Sequence, residues 1–140
     1  MITRIEISRP PEAVFAYVAD PARFPRWQPD IVSVETHPDG RFTTVRRIGG
    51  VNRAMTQEVA LLDPPRRWSV RGVDGPVRPN VDLLVEPLDG GARSRLTFTF
   101  DYDGSAMGRA LLPMVRRMTA VRAPRSVARL KELLEASSAG

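Results

Sequence analysis

The sequence predicts an α+β fold, a seven-stranded antiparallel sheet with a long C-terminal helix over one face. Three observations carry that prediction. The chain opens with a strand-like segment followed by helical ones. Six β-rich segments come next, separated mostly by Pro, Gly and Asp turn signals, and consecutive strands joined by tight turns pair antiparallel. The final stretch repeats its apolar residues at helical spacing, so it can cover one sheet face while the other faces water.

Residues 2–8 alternate isoleucine with charged residues, the pattern of a short half-buried strand. Pro11 then stands where a helix starts, and Val14, Tyr17 and Val18 share one helical face. Asp20-Pro21 ends that helix. The next stretch, DPARFPRWQPD, holds Pro21, Pro25 and Pro29, so it has room for only a turn or two of helix. It also holds Phe24 and Trp27, two side chains costly to leave in water.

Strands are expected over residues 31–37, ending in His-Pro-Asp-Gly, and over 41–48, closed by Gly49-Gly50. Over 53–62, Met55, Gln57, Val59 and Leu61 share one face. Asp63-Pro64-Pro65 turns the chain into 67–73, where Trp68 and Val70 face together. Asp74-Gly75-Pro76 turns it again, and Val81, Leu83 and Val85 line one face of the next strand. Asp89-Gly90-Gly91 reads as a hairpin loop. In the last strand Leu96, Phe98, Phe100 and Tyr102 alternate with Arg95, Thr97, Thr99 and Asp101. Ser105 is placed to N-cap the C-terminal helix. Met107, Leu111, Met114, Met118 and Val121 form its apolar stripe. Pro113 and Pro124 are expected to kink or break it. Beyond Pro124 the stripe moves to Val127, Leu130 and Leu134, and the tail from Ala136 is expected to fray.

A length of 140 residues fits a single domain over 1–140, large enough to bury about two-thirds of its unfolded surface. No apolar run approaches the ~18 residues of a membrane span, and the N-terminus has no signal-peptide pattern. The absence of cysteine excludes disulfides, thiolate chemistry and Cys-based zinc sites, and suits a cytoplasmic protein. A single histidine, His37, rules out a histidine-based metal site. No metal and no other cofactor is expected. The net charge is +5, but the arginines are scattered and no basic block interleaves with aromatics. That pattern favours a solvated basic surface over a nucleic-acid footprint.

The stretches ISRPPEAVFAYVADPARFPRW, PPRRWSVRG and ARLKELLE resemble the START-like (SRPBCC) superfamily, and within it the polyketide cyclase/dehydrase-like branch. Length and element order match over nearly the whole chain. The resemblance implies a helix-grip fold: a curved seven-stranded sheet wrapped around the C-terminal helix, two short helices after strand one, and an internal apolar cavity. The short helices and strand-connecting loops commonly form its mouth. Members bind lipids, sterols, polyketides or plant hormones. Some are cyclases or dehydratases, some are carriers or sensors, and one bacterial branch holds ribosome-associated toxins. Such a fold constrains the site but not the chemistry.

The cavity-lining set expected on this basis is Phe24, Trp27, Met55, Gln57, Val59, Trp68, Val70, Leu83, Phe98, Phe100, Tyr102, Met107, Leu111, Met114 and Met118. Gln57 and Tyr102 are the polar members, each able to orient a ligand oxygen or to be satisfied within the core. Arg46 and Arg47 point to opposite faces, so one of them can face inward. Arg122, and Arg125 if the helix runs straight, lie close to the inward stripe, with snorkelling to the helix edge the expected outcome. Glu58, Asp82, Glu86 and Asp101 read as solvated outer-face charges, Asp20 as the residue closing the first helix, and His37 as an exposed turn residue. No catalytic residue stands out. The segment from Asp20 to Gln28 is expected to cap the cavity mouth, with Phe24 and Trp27 packed against the sheet edge, where they either plug the end of the core or meet a ligand. The expected function is binding of a hydrophobic or amphipathic small molecule by a monomer or homodimer. A polyketide cyclase/dehydratase is the alternative, followed by a ribosome- or membrane-associating interaction protein.

Overall fold

The computed structural model describes residues 1–74, 77–104 and 106–137, with the backbone alone at residues 104, 106, 107 and 137. The expected turn residues Gly75 and Pro76, the Ser105 cap, the Met107 side chain and residues 138–140 of the tail lie outside the described residues. The elements are β1 (Ile2–Ile7), α1 (Pro11–Val18), a 3-10 turn (Pro21–Arg23), α2 (Phe24–Trp27), β2 (Ile31–Thr36), β3 (Phe42–Ile48), β4 (Val51–Asp63), β5 (Arg67–Gly72), β6 (Val77–Leu88), a 3-10 turn (Asp89–Gly91), β7 (Arg93–Gly104) and α3 (Ala106–Ser137). All seven strands join one antiparallel sheet in the order β1-β7-β6-β5-β4-β3-β2. This is a meander from β2 to β7, with β1 returning to the free edge of β7. The α3 helix packs on β1, β6, β7 and α2, which gives the helix-grip arrangement.

Extended backbone at Pro10 and Pro11 at the first helical position start α1, which buries Pro11, Val14, Phe15 and Val18. The buried face is broader than the Val14–Tyr17–Val18 stripe. Phe15 joins the core, while Tyr17 is half-buried under the Arg23 guanidinium, 4.8 Å from its ring centre. Asp20 Oδ1 accepts the Ala22 N–H at 3.1 Å and so caps the turn after α1.

The β4 alternation is interrupted. Its pairing with β5 shifts register between Val59, opposite Val70, and Leu61, opposite Ser69. Ala60 is therefore a bulge residue, and Leu61 is turned off the Met55–Gln57–Val59 face. The pairing of β4 with β3 ends at Gln57 opposite Phe42. Beyond that point β4 is an edge, and Val59 is 38% exposed.

Both prolines lie inside a continuous α3, so the expected break does not occur. Each is exposed, and the carbonyls that lose a donor belong to the exposed residues Arg109 and Ala120, where water can replace the missing bond. The helix includes Ala136 and Ser137, the first residues of the tail expected to fray. Its inward stripe also differs, because Val121 is 54% exposed. Ala123, Ser126, Val127, Leu130 and Leu134 are buried. Val127, Leu130 and Leu134 join Ile7, Val14, Val18, Leu83, Val85 and Leu96 in the packed core. At the helix end, the Ser8 N–H donates to the Glu135 carboxylate at 2.9 Å and Arg9 Nη1 donates to the Leu134 carbonyl at 3.2 Å.

Candidate ligand cavity

Alternation places one residue in two of each strand on the concave face. Register then aligns Val70 of β5, Val81 of β6 and Phe100 of β7 in one row, with Pro79 opposite Tyr102 in the next. The sheet's other residues on this face and the middle of α3 enclose a cavity of about 430 Å³. Among the side chains that the helix turns toward it are the small ones of Thr119, Ala123 and Ser126, which leave space unfilled.

An aromatic cluster forms one wall. Phe24 meets Trp27, Phe42 and Trp68 edge-on at 6.0, 5.7 and 5.9 Å, and Phe98 stacks on Phe100 at 6.0 Å. Trp27 tilts against Phe98, also at 6.0 Å. The exposed lining residues are Asn52, Arg53, Ala54 and Met114, the last 45% exposed, so the opening lies between the start of β4 and the first half of α3. Phe24 and Trp27 therefore form a deep wall and do not cap the mouth. Trp27 is 5% exposed, and its Nε1–H has no partner among the described residues.

Of the residues expected from the sequence, Phe24, Trp27, Met55, Gln57, Trp68, Val70, Phe98, Phe100, Tyr102, Leu111, Met114 and Met118 border this space. Two do not. Val59 sits at the open edge beyond the β3 pairing, and Leu83 is sealed in the packed core beneath α1 and α3. The Thr44 hydroxyl donates to Gln57 Oε1 at 3.3 Å. Thr119 gives its proton to the Val115 carbonyl at 3.0 Å, so the Tyr102 hydroxyl donates to Thr119 Oγ1. This bond ties β7 to α3 across the cavity.

The charged corner was only partly foreseen. Arg46 faces inward, and its Nη1 donates to Asp30 Oδ2 at 2.8 Å and its Nη2 to Gln28 Oε1 at 2.6 Å. Arg122 does not snorkel away; its Nη1 reaches the same Asp30 oxygen at 3.3 Å. Asp30 is the carboxylate that the sequence reading missed, its side chain 12% exposed. One signal pointed to it: an acid just before β2, whose partner strand carries Arg46 and Arg47 opposite that end. The Arg47 N–H does donate to the Asp30 carbonyl at 2.9 Å. Arg53 also lines the space, so three guanidinium groups face one carboxylate and leave two formal positive charges in excess among the described lining residues. Arg125 is exposed and lies outside the lining.

The other candidates lie elsewhere. His37 is half-buried, not exposed, with Nε2 2.8 Å from Thr43 Oγ1. Glu58 pairs with Arg41 at 3.7 Å, Asp82 accepts from the Ser69 hydroxyl, and Asp101 is exposed. Among the described residues no group of three or more His, Asp or Glu side chains is placed to hold a metal ion, and no helix is long and apolar enough to cross a membrane.

Solved structures share this architecture. A conserved protein from Geobacillus kaustophilus is 18% identical, with a TM-score of 0.77 over 97% of this chain and 95% of that one. A START superfamily protein from Mycobacterium smegmatis is 15% identical, with a TM-score of 0.77 over 96% of each chain. The di-domain ARO/CYC BexL, of the BE-7585A biosynthetic pathway, is 23% identical, with a TM-score of 0.74 over 94% of this chain but 45% of that one. Identities this low show the fold alone, and no curated protein matches the sequence. The family described as polyketide cyclase / dehydrase and lipid transport matches residues 2–135, nearly every residue that builds the sheet, the gripped helix and the cavity between them, and the chain belongs to that family.

Proposed function

We propose that the cavity binds an amphipathic small molecule with an apolar body and an acidic end. The charged corner is the observation that carries this reading. A volume of about 430 Å³ suits a small organic ligand. Burying the ligand's apolar area against Trp68, Phe98 and Phe100 contributes about 25 cal/mol per Å² before entropy costs. Orientation would come from the corner. Arg46 already spends both Nη groups on Asp30 and Gln28, whereas among the described residues Arg122 makes one bond, to Asp30. Arg122 therefore has free N–H donors for a ligand carboxylate, with Arg53 at the rim adding charge.

Binding is favoured over catalysis by how the polar groups are engaged. Asp30 is held by two arginines, and the Tyr102 proton is committed to Thr119. Neither is free to act as a base or an acid without first giving up a partner. The cyclase/dehydratase reading draws support from the same guanidinium groups, which would stabilise an enolate as readily as a carboxylate. It requires that Tyr102→Phe or Gln57→Ala lower turnover of a poly-β-ketone more than affinity, and equal losses would return the protein to a binding role.

The test of the primary reading is mass spectrometry of an organic extract of the purified protein, together with thermal unfolding in the presence of a long-chain fatty acid and the matching alcohol. A retained acidic lipid or polyketide, and greater stabilisation by the acid, are expected. An empty extract with equal response to acid and alcohol would overturn it.

A further inference from the structure

A second cavity, of about 400 Å³, lies beyond the end of β5, and only Tyr102 is common to its walls and those of the first. Arg71 of β5, Arg78 of β6 and Arg109 in the first turn of α3 all border it. Glu58 and Asp103 border it too, which leaves one formal positive charge in excess among the described lining residues, and each of these carboxylates is engaged by a residue other than the three arginines. Glu58 lies opposite Arg71 in register, yet its carboxylate pairs with Arg41 at 3.7 Å. Asp103 lies opposite Arg78, yet its carboxylate accepts from Asn80 Nδ2 at 2.7 Å. Among the described residues none of the three guanidinium groups has an ion pair within 4.0 Å, and the buried Arg78 Nε–H has no hydrogen-bond partner. A buried donor without an acceptor marks a place where a bound group can supply one.

The geometry points to an anion site here, taking a phosphate group carried by a soluble molecule or by a lipid headgroup. Three guanidinium forks suit the three free oxygens of a phosphate monoester. The site shares only the Tyr102 wall with the apolar cavity, and its three arginines line this site alone.

Titration with inorganic phosphate, followed by NMR of the arginine Nε–H signals, tests it. A saturable shift at Arg78 is expected. Arg71→Ala and Arg109→Ala should each weaken the apparent affinity roughly tenfold, while Arg125→Ala, on the exposed face of α3, leaves it unchanged. Arg71 and Arg109 are exposed, so the variants should fold, and thermal unfolding without phosphate checks this. Arg71→Lys, which keeps the charge and loses the fork, is the fallback and should also weaken binding. Co-sedimentation with phosphatidic acid vesicles, against phosphatidylcholine vesicles, separates the sources. Arginine-dependent vesicle binding assigns a headgroup, and a response to free phosphate alone assigns a soluble ligand. Absence of both, or a phosphate shift at Arg46 or Arg122 in place of Arg78, would overturn the proposal.

Discussion

Replacing Arg122 by methionine separates the two contributions that the cavity makes to binding. The substitution keeps an unbranched stem of similar reach and removes the guanidinium. In the free protein Asp30 retains its shorter partner, Arg46 at 2.8 Å, and loses only the 3.3 Å contact. The carboxylate is not orphaned, so the expected stability loss is small, about 1 kcal/mol or less. Binding of an acidic ligand should suffer more. Loss of a charge-assisted hydrogen bond costs about 1.5–3 kcal/mol, or roughly ten- to hundredfold in Kd. The matching alcohol should bind almost unchanged, because the aromatic wall is untouched. Calorimetric titration of wild type and variant with the acid and the alcohol reads the difference directly, and thermal unfolding reads the stability. Equal loss for both ligands, or none for the acid, would refute the assignment of the acidic end to this corner.

Trp27→Ala should lower stability by about 3–5 kcal/mol as a core truncation, whereas Trp27→Phe, which removes a buried N–H that has no acceptor among the described residues, should cost much less; chemical denaturation checks both. Tyr102→Phe breaks the tie to Thr119 and should cost about 0.5–1.5 kcal/mol, seen as a lower melting temperature that ligand partly restores. Pro113→Ala should raise the melting temperature, because it restores a helical N–H at an exposed site inside α3.

What could be read from the sequence was local. The alternation of Leu96, Phe98, Phe100 and Tyr102 marks β7 without reference to any neighbour, and the proline at the first position of α1 marks a helix start the same way. The errors involve information held by a partner. The bulge at Ala60 carries no Gly or Pro signal, because the pairing of β4 with β5 creates it. Val59 looked like a lining residue because nothing in its own segment shows that β3 stops opposite Gln57. The face of α3 departs from expectation at Val121 for a different reason. Positions turned toward a cavity need not be apolar, and here Thr119, Arg122 and Ser126 hold them while Val121 points to solvent. The apolar stripe therefore finds Leu111, Met114 and Met118 but not the polar positions beside them. Asp30 escaped notice because its partners come from β3 and α3, far along the chain.

Those long-range partners have a dynamic consequence. The C-terminal half of α3 is held by apolar burial of Val127, Leu130 and Leu134 against β1 and its neighbours, and by the Arg9 and Glu135 bonds. Its middle, lying over the cavity, has less packing beneath it and is tied by two polar contacts, Arg122 to Asp30 and Tyr102 to Thr119. Polar ties of this kind are worth about 1 kcal/mol each, far less than a buried leucine at about 2–5 kcal/mol. The helix should therefore open in two steps, with the segment over the cavity lifting before the end is released. Native-state hydrogen exchange reads this amide by amide. Amides of residues 115–122 should exchange well before those of 127–134, and a bound acidic ligand should slow the first group far more than the second. Uniform protection along both groups would mean that α3 moves as one body, and ligand uptake would then need a route through the β3–β4 side of the opening.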